Sequence, residues 1–234
     1  MKTRFLVLSL LVMGLFMAST VQAEDEIRDV SSFSEISLRI PATVHLEQGS
    51  PQSVRIEAKQ STLEDIITEV NGSKLIIRFP GKSIFQRNYK PGKIDIYITV
   101  PDVNGLGVSG SGDILADEIK ARIIDLAVSG SGNIEIDDLT SDKVKGAISG
   151  SGNIQIEGDG VANELSVSIS GSGNFKAEEF EAEDVTVSTS GSGNCTVRSN
   201  GSVKARIAGS GSVYYKGNPT VDASVAGSGR VKNM

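Results

Sequence analysis

Along most of the chain, apolar and polar residues alternate with a period of two, the pattern of strands that bury one face. In the second half this alternation is punctuated at regular intervals. The word Gly-Ser-Gly recurs seven times, with first glycines at Gly110, Gly130, Gly150, Gly171, Gly191, Gly209 and Gly227 and spacings of 20, 20, 21, 20, 18 and 18 residues. Aligned on that word, apolar residues fall into columns. Just after it stand Ile114, Ile134, Ile154, Phe175, Cys195, Val213 and Val231; just before it stand Val128, Ile148, Ile169, Thr189, Ile207 and Val225. A repeat near 20 residues with two short strands and turns predicts a parallel β-solenoid. One coil cannot bury its apolar face alone, whereas stacked coils share a continuous core.

The repeated word reads as the corner of each coil, because glycine accepts φ > 0 and close backbone approach. Coils stack about 4.8 Å apart, so six or seven of them make a rod of roughly 30 Å. Stacking puts like over like. Asp113, Asn133, Asn153, Asn174 and Asn194 are therefore expected to form a ladder of side chains hydrogen-bonded up and down the stack, with serines stacked beside it. Ser212 and Arg230 break that column later. The long polar face so formed is the candidate binding surface: Ser129, Ser131, Asn133, Ser149, Ser151, Asn153, Ser170, Ser172, Asn174, Ser192 and Asn194. The plainer alternative is that these ladders only satisfy the hydrogen bonds of the corners. Cys195 falls in an apolar column and reads as a small buried hydrophobe, not a nucleophile.

Residues 24–100 alternate without the repeated word. Ile36, Leu38 and Ile40 share a face, as do Leu75, Ile77 and Phe79, and Ile94, Ile96, Ile98 and Val100. Asn71-Gly72 between Thr68–Val70 and Leu75–Phe79 predicts a hairpin turn. Leu63–Val70 fits a short helix or a strand. Gly81–Gly92 reads as an exposed loop. This region is expected to start the solenoid and cap it, since an open coil exposes unpaired backbone. The repeat region, 101–234, ends on Arg230, Lys232 and Asn233, and the charge of the first two would discourage end-to-end stacking.

Residues 1–23 read as a secretory signal peptide: Lys2 and Arg4, the apolar run Phe5–Met17, then Val21-Gln22-Ala23 as the cleavage signal. The run is short for a membrane span, and no later segment of the mature chain is apolar enough to be one. The chain carries a formal charge of −6, and removal of Lys2 and Arg4 makes it more acidic. An acidic chain without a basic stripe argues against nucleic acid as a partner. One cysteine rules out an internal disulfide, and with one histidine it rules out the usual zinc sets.

Catalytic signals are few. Gly105-Leu106-Gly107-Val108-Ser109-Gly110 matches a dinucleotide-binding pattern, but its glycines belong to the repeat and no helix is expected after it. His45 lies on an alternating stretch with no evident Ser or Cys partner. The doublets Asp117-Glu118, Asp137-Asp138 and Glu178-Glu179, with Glu157 and Asp159, would stack into one acidic ridge. That ridge reads first as a solvated face and second as an oxygen-rich calcium site. No metal ligand, cofactor or catalytic residue is assigned. Among the few aromatics, Phe175 and Tyr215 fall in core columns, which leaves Tyr214, Phe85 and Tyr89 as exposed candidates for sugar stacking.

The words Ser-Gly-Ser-Gly-Asn-Ile at 129–134 and 149–154, their variants at 109–114, 170–175 and 190–195, and Arg28–Ile36 with Glu47-Gln48-Gly49 make the chain resemble the putative autotransporter adhesin, head GIN domain family. The resemblance covers nearly all of the mature chain. It implies an exported bacterial protein and a right-handed parallel β-helix; periodicity alone does not set the hand. It carries over no catalytic residue. The expected fold is thus an all-β, right-handed parallel β-helix with an N-terminal β capping region. The expected function is non-enzymatic, adhesin-like binding of a cell-envelope or extracellular polysaccharide, in the periplasm or outside the cell. A carbohydrate-active enzyme working through the acidic turns, and a periplasmic scaffold for a protein partner, are the alternatives. No run of amphipathic strands remains at the C-terminal end for an outer-membrane barrel.

Overall fold

The computed structural model describes residues 24–81 and 91–234. Met1–Ala23, read as a signal peptide, and residues 82–90, with Phe85 and Tyr89, lie outside the described residues.

The chain is a parallel β-solenoid of about six turns. It begins with β1 (Glu24–Ile27), β2 (Glu35–Leu38), β3 (Thr43–Gln48) and β4 (Ser53–Ala58). A single helical turn, α1 (Gln60–Leu63), leads to β5 (Ile67–Asn71), β6 (Lys74–Arg78) and β7 (Asp95–Val100). The repeats follow as β8 (Gly105–Gly110), β9 (Asp113–Gly130), β10 (Asn133–Gly150), β11 (Asn153–Ile156), β12 (Val161–Gly171) and β13 (Asn174–Gly191). The last coils are β14 (Cys195–Arg198), β15 (Ser202–Gly209), β16 (Ser212–Lys216), β17 (Thr220–Gly227) and β18 (Arg230–Asn233).

Two broad walls and a short third side, which in β10 turns Leu139 and Ser141 inward, enclose the core. The asparagine wall starts each coil, with β3, the first parts of β9 and β10, then β11, the first part of β13, and β14, β16 and β18. The serine wall ends each coil, with β2, β8, the last parts of β9 and β10, and β12, β13, β15 and β17. The long strands leave the asparagine wall at the acidic doublets and reach the serine wall after a second break, at Arg122-Ile123 in β9 and Asp142-Lys143 in β10. In β10, inward Ile134 and Ile136 alternate with outward residues until Asp137 and Asp138 are both exposed, after which Leu139 turns inward. Two adjacent outward residues break the period of two, so the chain bends there.

The third bend is the glycine corner. Gly130 takes φ +122°, and a Cβ on Gly132 would stand 2.0 Å from the carbonyl oxygen of Gly112 beneath it. Each corner hangs on the one below: the Ser131 and Gly132 amides both donate to the Gly110 oxygen, at 2.8 and 3.0 Å. Inside, Ile114, Ile134, Ile154, Phe175, Cys195 and Val213 are fully buried, as the columns predicted. Burial pushes the Cys195 thiol pKa up, which keeps it neutral. Gly146 stands in an apolar column with no side chain of its own, and the Phe175 ring occupies the space its Cβ would need.

At the N-terminal end the order of stacking departs from the order of the chain. The β6–β7 coil lies beneath the β2–β3 coil, and β8 then lands on the opposite edge of β2. Below them run the antiparallel strands β4, against β7, and β5, against β6; β1 pairs with β4. The segment joining β4 to β5 carries buried Thr62, Leu63 and Ile66, and the Arg28 guanidinium donates to the Leu63 oxygen at 2.7 Å. Leu63–Val70 is thus split between the last residue of a one-turn helix and a strand from Ile67. The hairpin turn is Gly72-Ser73, not Asn71-Gly72, because Asn71 still pairs with Lys74. Gly72 at the first central position, with φ +65° and no positive φ at Ser73, matches a type II′ turn.

Candidate functional site

The outer surface of the serine wall follows from the residues that alternate with its core columns. Ser37, Gly107, Ala127, Ala147 and Ser168 stand side by side on five successive strands. Next to them runs an unbroken hydroxyl column, Ser109, Ser129, Ser149, Ser170 and Ser190. With no side chain longer than a hydroxymethyl group, the floor is low and forms an open trough of about 490 Å³ along the rod. Glu35, Lys74 and Asp125 border its N-terminal end. The Glu35 carboxylate accepts from Lys74 Nζ at 3.0 Å and from Ser73 Oγ at 2.9 Å, and these bonds hold its pKa below the usual carboxylate range.

The sequence-predicted residues divide into three groups. Ser129, Ser149 and Ser170 line the trough. Ser131, Ser151, Ser172 and Ser192 are exposed at the corner tips. Asn133, Asn153, Asn174 and Asn194 form the ladder. The Asn133 amide donates to Asp113 Oδ1 at 2.7 Å, Asn153 to Asn133 at 2.9 Å, Asn174 to Asn153 at 2.9 Å and Asn194 to Asn174 at 3.3 Å. The backbone amides of Asn133, Asn174 and Asn194 add a second bond to the oxygen below, and the Ser212 amide donates to Asn194 Oδ1 at 3.1 Å. Those amide oxygens therefore already hold donors from the next coil, whereas the serine column faces solvent. Hydroxyls that both donate and accept, repeated at a spacing of about 4.8 Å, suit a polymer rich in hydroxyl groups.

A second group of residues escaped sequence reasoning. On the asparagine wall His45 stacks on Tyr97, with centroids 4.9 Å apart and planes at 17°. Arg55 covers the Tyr97 ring at 4.0 Å. His45 Nε2 lies 3.4 Å from Asp95 Oδ1, and Lys93 Nζ is 3.0 Å from Asp95 Oδ2. The stack draws on β3, β4 and β7, which pairing brings together from distant parts of the chain; no local pattern announces it. Among the described residues no cluster of His, Cys, Asp or Glu has the arrangement of a metal centre.

A β-solenoid with a repetitive polar wall belongs to the class of elongated proteins that present a surface along their length. The family follows from the sequence itself. Residues 32–219 match the model of the family described as putative auto-transporter adhesin, head GIN domain, and the chain belongs to it. Solved structures agree. A putative adhesin from Bacteroides fragilis is 25% identical with a TM-score of 0.85, covering 91% of this chain and 97% of that one. A putative adhesin from Parabacteroides distasonis is 24% identical with a TM-score of 0.71, covering 92% and 98%. A putative lipid binding protein from the same organism is 22% identical with a TM-score of 0.70, also covering 92% and 98%, and shares the fold. No curated protein matches the chain.

Proposed function

We propose that this chain is an exported, non-catalytic adhesin-like protein that binds an envelope or extracellular polysaccharide along the trough of the serine wall. The observation that carries this reading is the unbroken hydroxyl column Ser109–Ser129–Ser149–Ser170–Ser190 beside a floor of Gly107, Ala127 and Ala147. Family membership supports the adhesin-like role. No transmembrane helix occurs among the described residues.

The test uses residues 24–234 and polysaccharide fractions from the producing cell's envelope and medium. Ser149→Arg places a long charged side chain across the middle of the trough, and the expected result is at least about a tenfold loss of binding with an unchanged circular dichroism spectrum. Ser151→Arg, at a corner tip, is expected to bind as the native chain does. Equal binding by native protein and a folded Ser149→Arg variant removes the trough from consideration. Release of new reducing or unsaturated ends would instead favour the enzymatic alternative.

A further inference from the structure

The floor of small side chains on the serine wall does not run the length of the rod. Beyond Ser168 the row continues to Ser188 on β13, and the next strand, β15, puts Arg206 in it. On β17 the row is small again, at Ser224. At the other end Ser37 on β2 pairs with Ile76 on β6, a branched side chain in the same row. The hydroxyl column stops at the same strand as the floor, since Ser190 is followed by Ala208. Small residues thus occupy six successive strands, from β2 to β13, with a larger side chain at each end of them.

Arg206 is held in place. Its guanidinium grips Asp222 on the next strand, Nη1 donating to Oδ1 at 3.1 Å and Nη2 to Oδ2 at 2.7 Å. Nη1 also donates to the Asp222 and Ala205 carbonyl oxygens, both at 3.1 Å. A two-pronged bond to a carboxylate, backed by two to the main chain, fixes a side chain that would otherwise sweep a wide arc. Its aliphatic stem stands on the floor as a post.

The trough also has a kerb. On the side away from the glycine corners, Lys74, Glu35, Asp125 and Lys145 form a row broken only by Gly105. They pair as Lys74–Glu35 at 3.0 Å and Lys145–Asp125 at 3.3 Å. These longer side chains obstruct a ligand laid parallel to the strands. A chain laid along the rod meets only hydroxyls and short side chains until it reaches Arg206.

We propose that Arg206 is the stop that ends the saccharide site, so that the trough holds a segment of fixed length and not an indefinite stretch of polymer. This rests on the trough as the binding site, and adds the direction and length of what is bound there. Five strand intervals of about 4.8 Å set that length at about 24 Å. A longer chain has to rise off the wall at the post, so its further units add no contact. The stop works by the height of the side chain, since the charge of Arg206 is already matched by Asp222.

The test takes the polysaccharide fraction retained by residues 24–234, cuts it by partial hydrolysis, and titrates the sized fragments. With the native chain, affinity is expected to rise with fragment length up to about 24 Å and then to stay within about twofold. Arg206→Ser joins Ser188 to Ser224 and lengthens the floor by two strands. The plateau should then move to about 34 Å, and the longest fragments should gain at least about fivefold. Ser188→Arg sets the post one strand earlier and should move the plateau the other way, to about 19 Å. Loss of the exposed Arg206–Asp222 pair costs little stability, and circular dichroism checks that both variants are folded. A native affinity that keeps climbing with length overturns the stop, as does a plateau that neither folded variant moves. If Ser149→Arg still weakens binding about tenfold in that case, the trough stands without the stop. A native chain that retains no polysaccharide overturns both.

Discussion

The β2–β3 coil and the later repeats build the same kind of coil with different corners. Where every later coil has glycine just before its asparagine-wall strand, the β2–β3 coil has Ala42, aligned with Gly112 by the pairing of Thr43 with Asp113. Where the repeats carry Asn on the ladder, this coil carries Thr43. The repeat corners need glycine because each rests on an identical corner below. The Cβ of any other residue at Gly152 would stand 2.1 Å from the Gly132 oxygen. Ala42 lies at the start of that stack, buried and tolerated. The strict word in the sequence is therefore a record of stacking between coils, not of what a single corner requires.

The two ends differ as well. The N-terminal end carries antiparallel strands and the buried side chains Leu63 and Ile66. On the last coil Val221 and Val225, aligned with buried Val203 and Ile207, are 38% and 41% exposed. The same column residue contributes differently to stability according to whether another coil lies above it.

The largest expected effect breaks the corner comparison. Gly152→Val forces backbone apart in the middle of the stack and should cost about 3 kcal/mol or more, whereas Ala42→Gly at the aligned position should cost about 1 kcal/mol through chain entropy. Denaturant midpoints of the two variants check this. Equal losses would mean that corner stacking does not explain the glycines.

This contrast also marks how much was legible in the sequence. The repeat columns revealed the fold and placed Ile134, Phe175 and Cys195 in the core, because identical coils pair in register and period alone locates the inward face. The Asn ladder was legible for the same reason. Ser129 and Ser131 looked equivalent in the repeated word, yet the turn at Gly130 puts the first on the trough and the second on a corner tip. The coil of β6 and β7 beneath β2 and β3 was hidden, because its strands stack out of chain order. The Arg55–Tyr97–His45 stack was hidden with it, since each residue sits on a different strand and is ordinary in its own.

A smaller effect sharpens the ladder comparison. Asn153→Ala leaves the Asn174 backbone and side-chain N–H groups without their acceptor and the Asn133 oxygen without its donor, all in a half-buried column. The expected loss is about 1–3 kcal/mol. Thr43→Ala, at the start of the same column, is expected to cost within about 0.5 kcal/mol, as for a surface change outside such a network. Urea titration of both variants measures the difference; a Thr43→Ala loss as large as that of Asn153→Ala would place the stabilisation in the column position and not in the amide ladder.

The smallest effect concerns Glu35, which borders the trough where the first coils meet the repeats. Its native pKa is lowered by the hydrogen bond from Lys74 first and that from Ser73 second. A lowered native pKa means that the unfolded chain binds the proton more readily than the native one. The carboxylate therefore contributes stability at neutral pH, and that contribution fades as pH falls from the ordinary glutamate range through the native value. Both side chains of the pair are partly exposed, so the contribution is small and screened by salt. Glu35→Gln should reduce stability slightly at pH 7 and leave it unchanged once the acid is protonated, so the native and variant curves converge below about pH 3. A constant gap between them at every pH would assign the effect to packing of the side chain and not to its charge.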